Sequence, residues 1–342
     1  MSPTPSAVHP DRATILRQAS RHPLAHRVAR GLARACVSDA DPLVLAVSGG
    51  GDSLAMLVLV AALRARVDPS LAALHVISVD HGLRPANRGE CDGAVRTARM
   101  LGVAHAETRA VTVAAGGNLL DAARDARLDA IAGFAASNGV RKVLLAHQAD
   151  DRAEGLLLAL ARGAGIDALC ALLPARELAL AGRPSLELCR PLLETRRSEL
   201  RAFLADMGVA WHEDPSNALR TRGALRGTPE AAALLDRIAD NAGLALEEAH
   251  EMVAHRDALA NGLIATDGVS VARTELERCP PFVQREVARM IVHAAGGTPN
   301  RAALASLAEA LARGDRAPRR YRCEGGVELV LDASGLRAFK VA

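Results

Sequence analysis

The first two thirds of the chain alternate short apolar runs with longer segments of helical spacing. Short strands are predicted at 43–47, 74–79, 104–109 and 142–146, each followed by a helical segment. Strands that are apolar throughout are buried on both faces, so the alternation predicts an α/β fold, a parallel sheet with helices on both faces. A helix over about 13–36 is predicted before the sheet. A fifth strand near 186–190 and a helix over about 195–208 are predicted after it.

The pattern changes after residue 228. A long helical region is predicted from 229 to about 261. Two helices and three strands are predicted beyond it, at 281–295, 299–313, 319–323, 327–331 and 335–340. We therefore divide the chain into an N-terminal helix with a loose tail (1–36), an α/β domain (37–226), a helical linker (227–262) and a small C-terminal α+β domain (263–342).

The amino-acid composition argues against several classes of protein. Half of the 342 residues are apolar, which excludes disorder as the main state. Only 2% are aromatic, too few for an RNA-binding platform of stacked rings. Lys142 and Lys340 are the only lysines, one opening a predicted strand and one near the C-terminal end. Schiff-base chemistry, a covalent lysyl-nucleotide and a Walker-type phosphate loop all need a well-placed lysine and are not expected.

Charge and cysteine usage set further bounds. The net charge of +3 permits a nucleic-acid partner without requiring one. No two of the six cysteines form a C-x-x-C pair, which argues against a zinc ribbon or an iron–sulfur cluster. The first residues lack the apolar core of a signal peptide, and no 18-residue stretch is apolar enough to span a membrane. A cytoplasmic protein with reduced thiols and no membrane partner is expected.

A glycine-rich loop follows the first predicted strand and precedes a helix. It consists of Ser48, Gly49, Gly50, Gly51, Asp52 and Ser53. Glycines let the backbone approach a ligand closely, and the following helix offers its positive end to an anion. Asp52 would repel a bare phosphate, so its presence favours a bridging cation such as Mg²⁺. The plain alternative is a tight strand-to-helix turn.

Carboxylates cluster after the fourth predicted strand. His147, Asp150, Asp151 and Glu154 lie at the start of the next helix, with Asp151 and Glu154 on one face. They could hold Mg²⁺ or an ammonium group, or simply cap the helix. His81 follows the second strand in a similar way, and a lone histidine is more often structural.

Arginines supply the remaining candidates. Arg124 and Arg127 share a helix face, where they could clamp a phosphate or pair with neighbouring aspartates. The stretch 211–226 is polar and arginine-rich, and its Trp211 is predicted to be packed rather than stacked on a base. A C-terminal run could contact phosphodiesters or form a solvated face: Arg313, Arg316, Arg319, Arg320 and Arg322.

Together these motifs resemble a known family. S-G-G-x-D-S resembles the pyrophosphate loop of the N-type ATP pyrophosphatases, which adenylate a substrate while cleaving ATP to AMP and pyrophosphate. The segment 145–169 resembles the A-H-H-x-D-D-Q-x-E-T…L-R-G-x-G signature of tRNA(Ile)-lysidine synthetases, with Gln148, Arg152 and Gly155 as departures. Further ordered matches are V-D-H-G-L-R (79–84), N-L…A-R-x-x-R (118–127, with Leu128 in place of Tyr), R-P-L-L (190–193) and D-P-S-N (214–217).

The resemblance implies a reaction and its participants. The family adenylates O2 of the wobble cytidine of tRNA(Ile) with a CAU anticodon, and free L-lysine then displaces AMP to give lysidine. ATP and Mg²⁺ are therefore expected, with residues 48–53 holding pyrophosphate and Asp52 binding the metal. Asp52, Asp151 and Glu154 are the expected catalytic residues, the last two positioning lysine or a second metal, or deprotonating the amine. Substrate or phosphate contacts are expected from His81, Arg84, Arg124, Arg127, His147, Asp150, Arg222 and Arg226.

Two alternatives stay open at this point. One is a related tRNA thiolase, and the other is a non-catalytic tRNA- or nucleotide-binding relative that kept the loop. The C-terminal domain is expected to contact tRNA, and a homodimer is compatible with the sequence.

Overall fold

The chain folds into two compact units, Met1–Leu246 and Glu247–Ala342. The computed structural model of the protein describes residues 11–82, 86–113, 119–162, 165–169, 172–180, 183–213 and 228–341. A six-stranded sheet organises the first unit, and a four-stranded sheet organises the second. The predicted fold class, an α/β domain followed by a small α+β domain, is confirmed.

The sheet of the first unit has the order β3-β2-β1-β4-β6-β5. Its strands are β1 (Leu43–Ala46), β2 (Leu74–Asp80), β3 (His105–Ala110), β4 (Lys142–Leu144), β5 (Ala175–Leu180) and β6 (Arg183–Cys189). All neighbouring strands are parallel except β5, which pairs antiparallel with β6. The prediction of a strand near 186–190 missed β5, because this edge strand is partly exposed and has no continuous apolar run.

Helices precede, connect and follow these strands. They are α1 (Arg12–Arg21), α2 (Pro23–Arg34), α3 (Gly51–Arg64), α4 (Asn87–Met100), α5 (Leu119–Ser137), α6 (Ala149–Ala161), α7 (Ile166–Leu169), α8 (Arg197–Asp206), α9 (Pro229–Asn241) and α10 (Gly243–Leu263). The single helix predicted over 13–36 is wrong. His22 is extended at φ −66° and ψ 143° because the ring of Pro23 disfavours a helical conformation before it. The long helical region also breaks, at Ala242 before the weak helix former Gly243.

The two faces of the sheet belong to different apolar clusters. Leu43 and Leu45 of β1 pack with α1, α2, α3 and α8, whereas Val44 between them packs with α5. This is the alternation that a strand covered on both sides requires. Helix α3 is buried along almost its whole length. The loop that starts α3 is therefore held on a rigid element.

The second unit packs two helices on an antiparallel sheet of order β7-β10-β9-β8. Its elements are β7 (Ser270–Ala272), α11 (Arg273–Glu277), α12 (Pro281–Ala294), α13 (Arg301–Ala312), β8 (Arg319–Cys323), β9 (Val327–Leu331) and β10 (Gly335–Lys340). Val327, Leu329 and Leu331 alternate inward from β9 to form its core with α12 and α13. The β8–β9 turn needs left-handed backbone at Gly325 and Gly326, which have φ of 78° and 71°.

No helix in the described parts of the chain is both long and apolar enough to cross a membrane.

Candidate functional site

The glycine-rich loop runs from the carboxyl end of β1 into the first turn of α3. Its shape is fixed by two serines: the Ser48 N–H donates to Ser53 Oγ over 3.1 Å, and the Ser53 hydroxyl donates to the Gly50 carbonyl over 2.9 Å. The two hydroxyl oxygens lie 3.2 Å apart. No side chain caps the start of α3, where Gly50 is the N-cap. The first N–H groups of the helix are therefore left for an anionic ligand.

Glycine is required at Gly49 of this loop and gives a close approach at Gly51. Gly49 has φ of +85°, and a Cβ there would lie 2.7 Å from the Glu90 carbonyl oxygen. A Cβ on Gly51 would lie 3.2 Å from the Trp211 ring. The loop is thus a bare backbone cradle between two packed neighbours, which fits the phosphates of a nucleotide.

Three predicted catalytic carboxylates converge on one arginine of α8. The Arg197 guanidinium lies 3.1 Å from Asp151, 3.6 Å from Asp52 and 3.7 Å from Glu154. Asp52 starts α3, whereas Asp151 and Glu154 lie on the first turns of α6, so the ends of β1 and β4 bring them together. Glu154 is only 1% exposed. The structure brings these three predicted residues together, and their catalytic roles remain predictions.

The carboxyl group of Asp151 has a raised pKa. Burial raises the pKa of its carboxyl to about 6, and the negative charge of nearby Asp52 also raises it, against the opposing effect of Arg197. Carboxylates that share too few cations resist full ionisation. A further cation at this place, a metal ion or an ammonium group, would relieve that repulsion.

Asp150 differs from its neighbour. Its Oδ2 accepts the Arg197 N–H at the start of α8 over 2.8 Å, and its Oδ1 pairs with Arg196 at 3.0 Å. Burial alone would raise the pKa of Asp150, but the hydrogen bond from Arg196 lowers it below its ordinary value. Asp150 joins α6 to α8, so its predicted contact with substrate would have to replace these bonds.

His147 is oriented by a buried arginine. Arg190 Nε donates to His147 Nδ1 over 3.2 Å, and Arg190 Nη1 donates to the Leu173 carbonyl. Burial lowers the pKa of Arg190 to about 10, and the charges of Arg176 and Arg124 add to this. An accepting Nδ1 leaves Nε2 as the protonated nitrogen of neutral His147. Arg124, although exposed on α5, therefore contributes positive charge near this histidine.

The structure describes only some of the remaining residues that were predicted to contact substrate or phosphate. His81 follows β2 at the same edge of the sheet as the loop, and Arg127 is exposed on α5. Arg84, Arg222 and Arg226 lie outside the described residues.

Three residues of the site were not predicted from the sequence. They are Arg197, Arg201 and Glu213. Arg201 binds Asp52 Oδ1 at 2.7 Å and Glu213 at 2.6 Å. The signal was present in the spacing, because Arg197 and Arg201 are four residues apart and share one face of α8. Their partners are distant in sequence, so spacing alone could not name them. Trp211 packs against the apolar cluster that α1, α2, α3 and α8 form on one face of the sheet, as predicted.

The arginine run of the second unit is mostly paired. Arg313 pairs with Glu309, Arg316 with Glu277, Arg319 with Asp315 and Arg320 with Glu328. Such pairing favours a solvated face over a ready phosphodiester contact.

The donor set suits Mg²⁺ held jointly with phosphate. Among the described residues, no group of three or more His, Cys, Asp or Glu side chains could hold a metal by itself. Mg²⁺ commonly takes one or two carboxylates and completes its shell with substrate phosphates and water. Asp52, one residue into α3 and beside the cradle, fits that requirement.

Comparisons with known proteins agree with this geometry. Residues 22–228 match a family model described as the PP-loop domain. The chain is 38% identical over 288 residues to the tRNA(Ile)-lysidine synthase of Ruegeria pomeroyi, covering 79% of this chain and 65% of that protein. It is 34% identical over 275 residues to the tRNA(Ile)-lysidine synthase of Leifsonia xyli subsp. xyli, covering 75% and 77%.

A solved structure gives the same fold. The U34-tRNA thiolase NcsA from Methanococcus maripaludis, with its 4Fe-4S cluster, aligns with a TM-score of 0.51 at 16% identity. The alignment covers 71% of this chain and 81% of the thiolase, and it shows the fold alone. The chain spans about half to two thirds of the length of most curated relatives that it matches. By the match of its PP-loop domain and its identity to these relatives, the chain belongs to the tRNA(Ile)-lysidine synthase family of PP-loop proteins.

Proposed function

We propose that the protein forms lysidine in a tRNA(Ile) with a CAU anticodon, using ATP, Mg²⁺ and free L-lysine. The observation that carries the proposal is the convergence of Asp52, Asp151 and Glu154 on Arg197 beside the loop. The loop binds a polyphosphate, and the carboxylates beside it attract a cation that is not part of the protein. An adenylating enzyme with an amine substrate needs both.

The loop residues act on the nucleotide. N–H groups at the start of α3 and the Ser48 and Ser53 hydroxyls bind the β- and γ-phosphates, which leave as pyrophosphate when cytidine O2 attacks the α-phosphorus. Asp52 would hold Mg²⁺, which would supply charge stabilisation to the departing pyrophosphate. His147, whose Nδ1 accepts from Arg190, donates a hydrogen bond from Nε2–H to a phosphate oxygen.

The α6 carboxylates act on the amine. Asp151 and Glu154 bind the lysine ammonium, and Asp151, whose pKa of about 6 lies nearer to neutrality than that of an ordinary carboxyl, accepts a proton from it. The neutral amine then attacks C2 of the adenylated cytidine, and O2 leaves with AMP. No covalent bond to the protein is formed in either step.

The test is AMP release by the purified chain with ATP, Mg²⁺, lysine and a CAU-anticodon tRNA(Ile) transcript, omitting each in turn. We expect AMP only when tRNA is present, faster release with lysine, and lysine incorporated into the RNA. AMP release without lysine incorporation would remove lysine as the nucleophile and favour a thiolase. No AMP under any combination would leave a binding protein. A transcript with a CAU→GAU anticodon is the matched substrate control and should give no AMP.

A further inference from the structure

Arg201 binds Asp52, the residue proposed to hold the metal. Arg201 Nη1 donates to Asp52 Oδ1 over 2.7 Å, while Arg197 Nε lies 3.6 Å from Oδ2. Both side chains of the close pair are about one quarter exposed. A metal ion on either oxygen of Asp52 would lie beside one of these two guanidinium groups, so the metal and the arginines compete for one carboxylate.

Arg201 is also fastened to the segment 211–213. Its Nε and Nη2 donate to Glu213 over 2.6 and 3.1 Å, in the two-pronged geometry that guanidinium and carboxylate favour. The Trp211 indole N–H donates to the same Glu213 over 2.8 Å. Arg201, Glu213 and Trp211 therefore form one hydrogen-bonded group.

The same segment lies against the phosphate loop. The His212 N–H donates to the Gly49 carbonyl over 3.2 Å. The Trp211 ring lies 3.2 Å from the position of a Cβ on Gly51. A shift of Arg201 away from Asp52 would thus be felt at Trp211, beside the cradle, because Glu213 links the two.

We propose that Arg201 is a positioning residue that stands in for the magnesium ion on Asp52 and couples its displacement by magnesium nucleotide to a change around Trp211. The proposal rests on the proposed function, since it needs magnesium nucleotide at the loop. In this proposal Arg201 stays on Glu213, which is 59% exposed, and the two move together. Binding of magnesium nucleotide to the loop and movement of segment 211–213 therefore occur together.

The first test measures the magnesium requirement of nucleotide binding. Isothermal titration with α,β-methylene-ATP at rising Mg²⁺ compares the full-length chain with Arg201→Gln. Without the competing guanidinium, we expect the half-saturating Mg²⁺ concentration to fall roughly fivefold, the scale of one partly exposed ion pair. Arg66→Gln, just beyond the far end of α3, is the matched control and should behave as the unaltered chain. An unchanged or raised Mg²⁺ requirement in Arg201→Gln overturns the proposal.

The second test observes the coupling directly. Trp211 is the only tryptophan, so intrinsic fluorescence reports on this segment alone. Magnesium nucleotide should shift the emission of the unaltered chain, and Arg201→Gln should show the shifted emission before ligand is added. Arg201→Lys can still pair with Asp52 but cannot bind Glu213 with two prongs, so it should keep the Mg²⁺ competition and lose most of the fluorescence response.

The two proposals fail in different ways. Nucleotide that binds with Mg²⁺ but leaves Trp211 fluorescence unchanged overturns the coupling and leaves the proposed function standing. Absence of nucleotide binding to the unaltered chain overturns both.

Discussion

Two arginines, one in each unit, lie among several hydrogen-bond acceptors, but the acceptors differ in charge and distance. Arg273 in the second unit is 1% exposed, and it donates to Glu277 over 2.7 Å and to the carbonyls of Asp332 and Asp315. Arg197 in the first unit faces three carboxylates, and only Asp151, at 3.1 Å, is within hydrogen-bond distance. Arg273 has one negative charge and two neutral acceptors in close contact. Arg197 and its neighbour Arg201 together face four carboxylates, those of Asp52, Asp151, Glu154 and Glu213.

The difference separates a structural ion pair from a functional one. A buried guanidinium whose acceptors are matched in number and distance contributes to a single stable arrangement. A cluster with surplus negative charge stores repulsion that an incoming cation can relieve. Stability and ligand binding therefore make opposite demands on the same residue types. Replacing Arg273 should lower the stability of the protein, whereas neutralising Asp151 should raise it.

Replacing Asp52 should have the largest effect. In Asp52→Asn the loop keeps its shape, because the serine and glycine contacts do not involve this carboxylate. Loss of the proposed metal ligand should lower AMP release roughly 10⁴-fold, about 5 kcal/mol in the barrier. Thermal stability should change little. Single-turnover AMP release and a melting curve measure the two quantities separately.

The matched control is Asp206→Asn at the exposed end of α8, which should release AMP normally. Near-normal AMP release by Asp52→Asn would remove Asp52 from the mechanism and reduce the cluster around Arg197 to an ordinary ion pair.

Replacing Arg273 should give the next largest effect, on stability alone. Arg273→Met keeps the length of the side chain but leaves Glu277 and two carbonyls without their buried donor, which should cost about 4 kcal/mol. Hydrogen exchange of the β10 amides in the full-length chain measures this locally. Arg278→Met, an exposed arginine nearby, should leave exchange unchanged. If both variants exchange alike, Arg273 is not the structural anchor that its contacts indicate.

The sequence predicted the loop and the positions of most strands well, and the cluster around Arg197 only in part. Continuous apolar runs identify β1 and β2, and glycines between a strand and a helix identify the loop. Asp151 and Glu154 share a face by helical spacing. Arg201 is 149 residues from Asp52, and no local pattern encodes a contact made by packing α8 against α3. The hairpin of β5 was missed for a similar reason, since pairing at a sheet edge leaves little periodicity.

Replacing Asp151 should have a smaller effect on stability than replacing Arg273, and it should raise stability instead of lowering it. Its folded-state pKa of about 6 lies above the ordinary aspartate value of 3.8. The folded state therefore binds the proton more tightly, and the stability from this group is full below pH 3.8 and lost as the pH rises through 6. Asp151→Asn, which mimics the neutral acid, should match the unaltered chain near pH 3.8 and be more stable by about 3 kcal/mol at pH 8.

The neighbour provides the control with the reverse sign. The pKa of Asp150 is lowered, because its bonds from Arg196 and Arg197 outweigh burial, so its stability is present above pH 3.8 and lost as the pH falls. Asp150→Asn should therefore destabilise the protein at pH 8. Denaturant unfolding at pH 5 and pH 8 tests both. A loss of stability in Asp151→Asn at pH 8 would contradict surplus negative charge at the site.

The smallest effect is expected at an exposed pair of the second unit. Arg320 lies 3.2 Å from Glu328, but its side chain is 70% exposed and well solvated. Arg320→Gln should change unfolding stability by no more than ~0.5 kcal/mol, since exposed pairs gain little in water and are screened by salt. Denaturant unfolding at low and high salt measures it, with Arg273→Met as the buried counterpart. A change in the free energy of unfolding above 1 kcal/mol that persists at high salt would show that the arginine run stabilises the fold. Exposed ion pairs would then have to be counted with the buried contacts of Arg273 as structural.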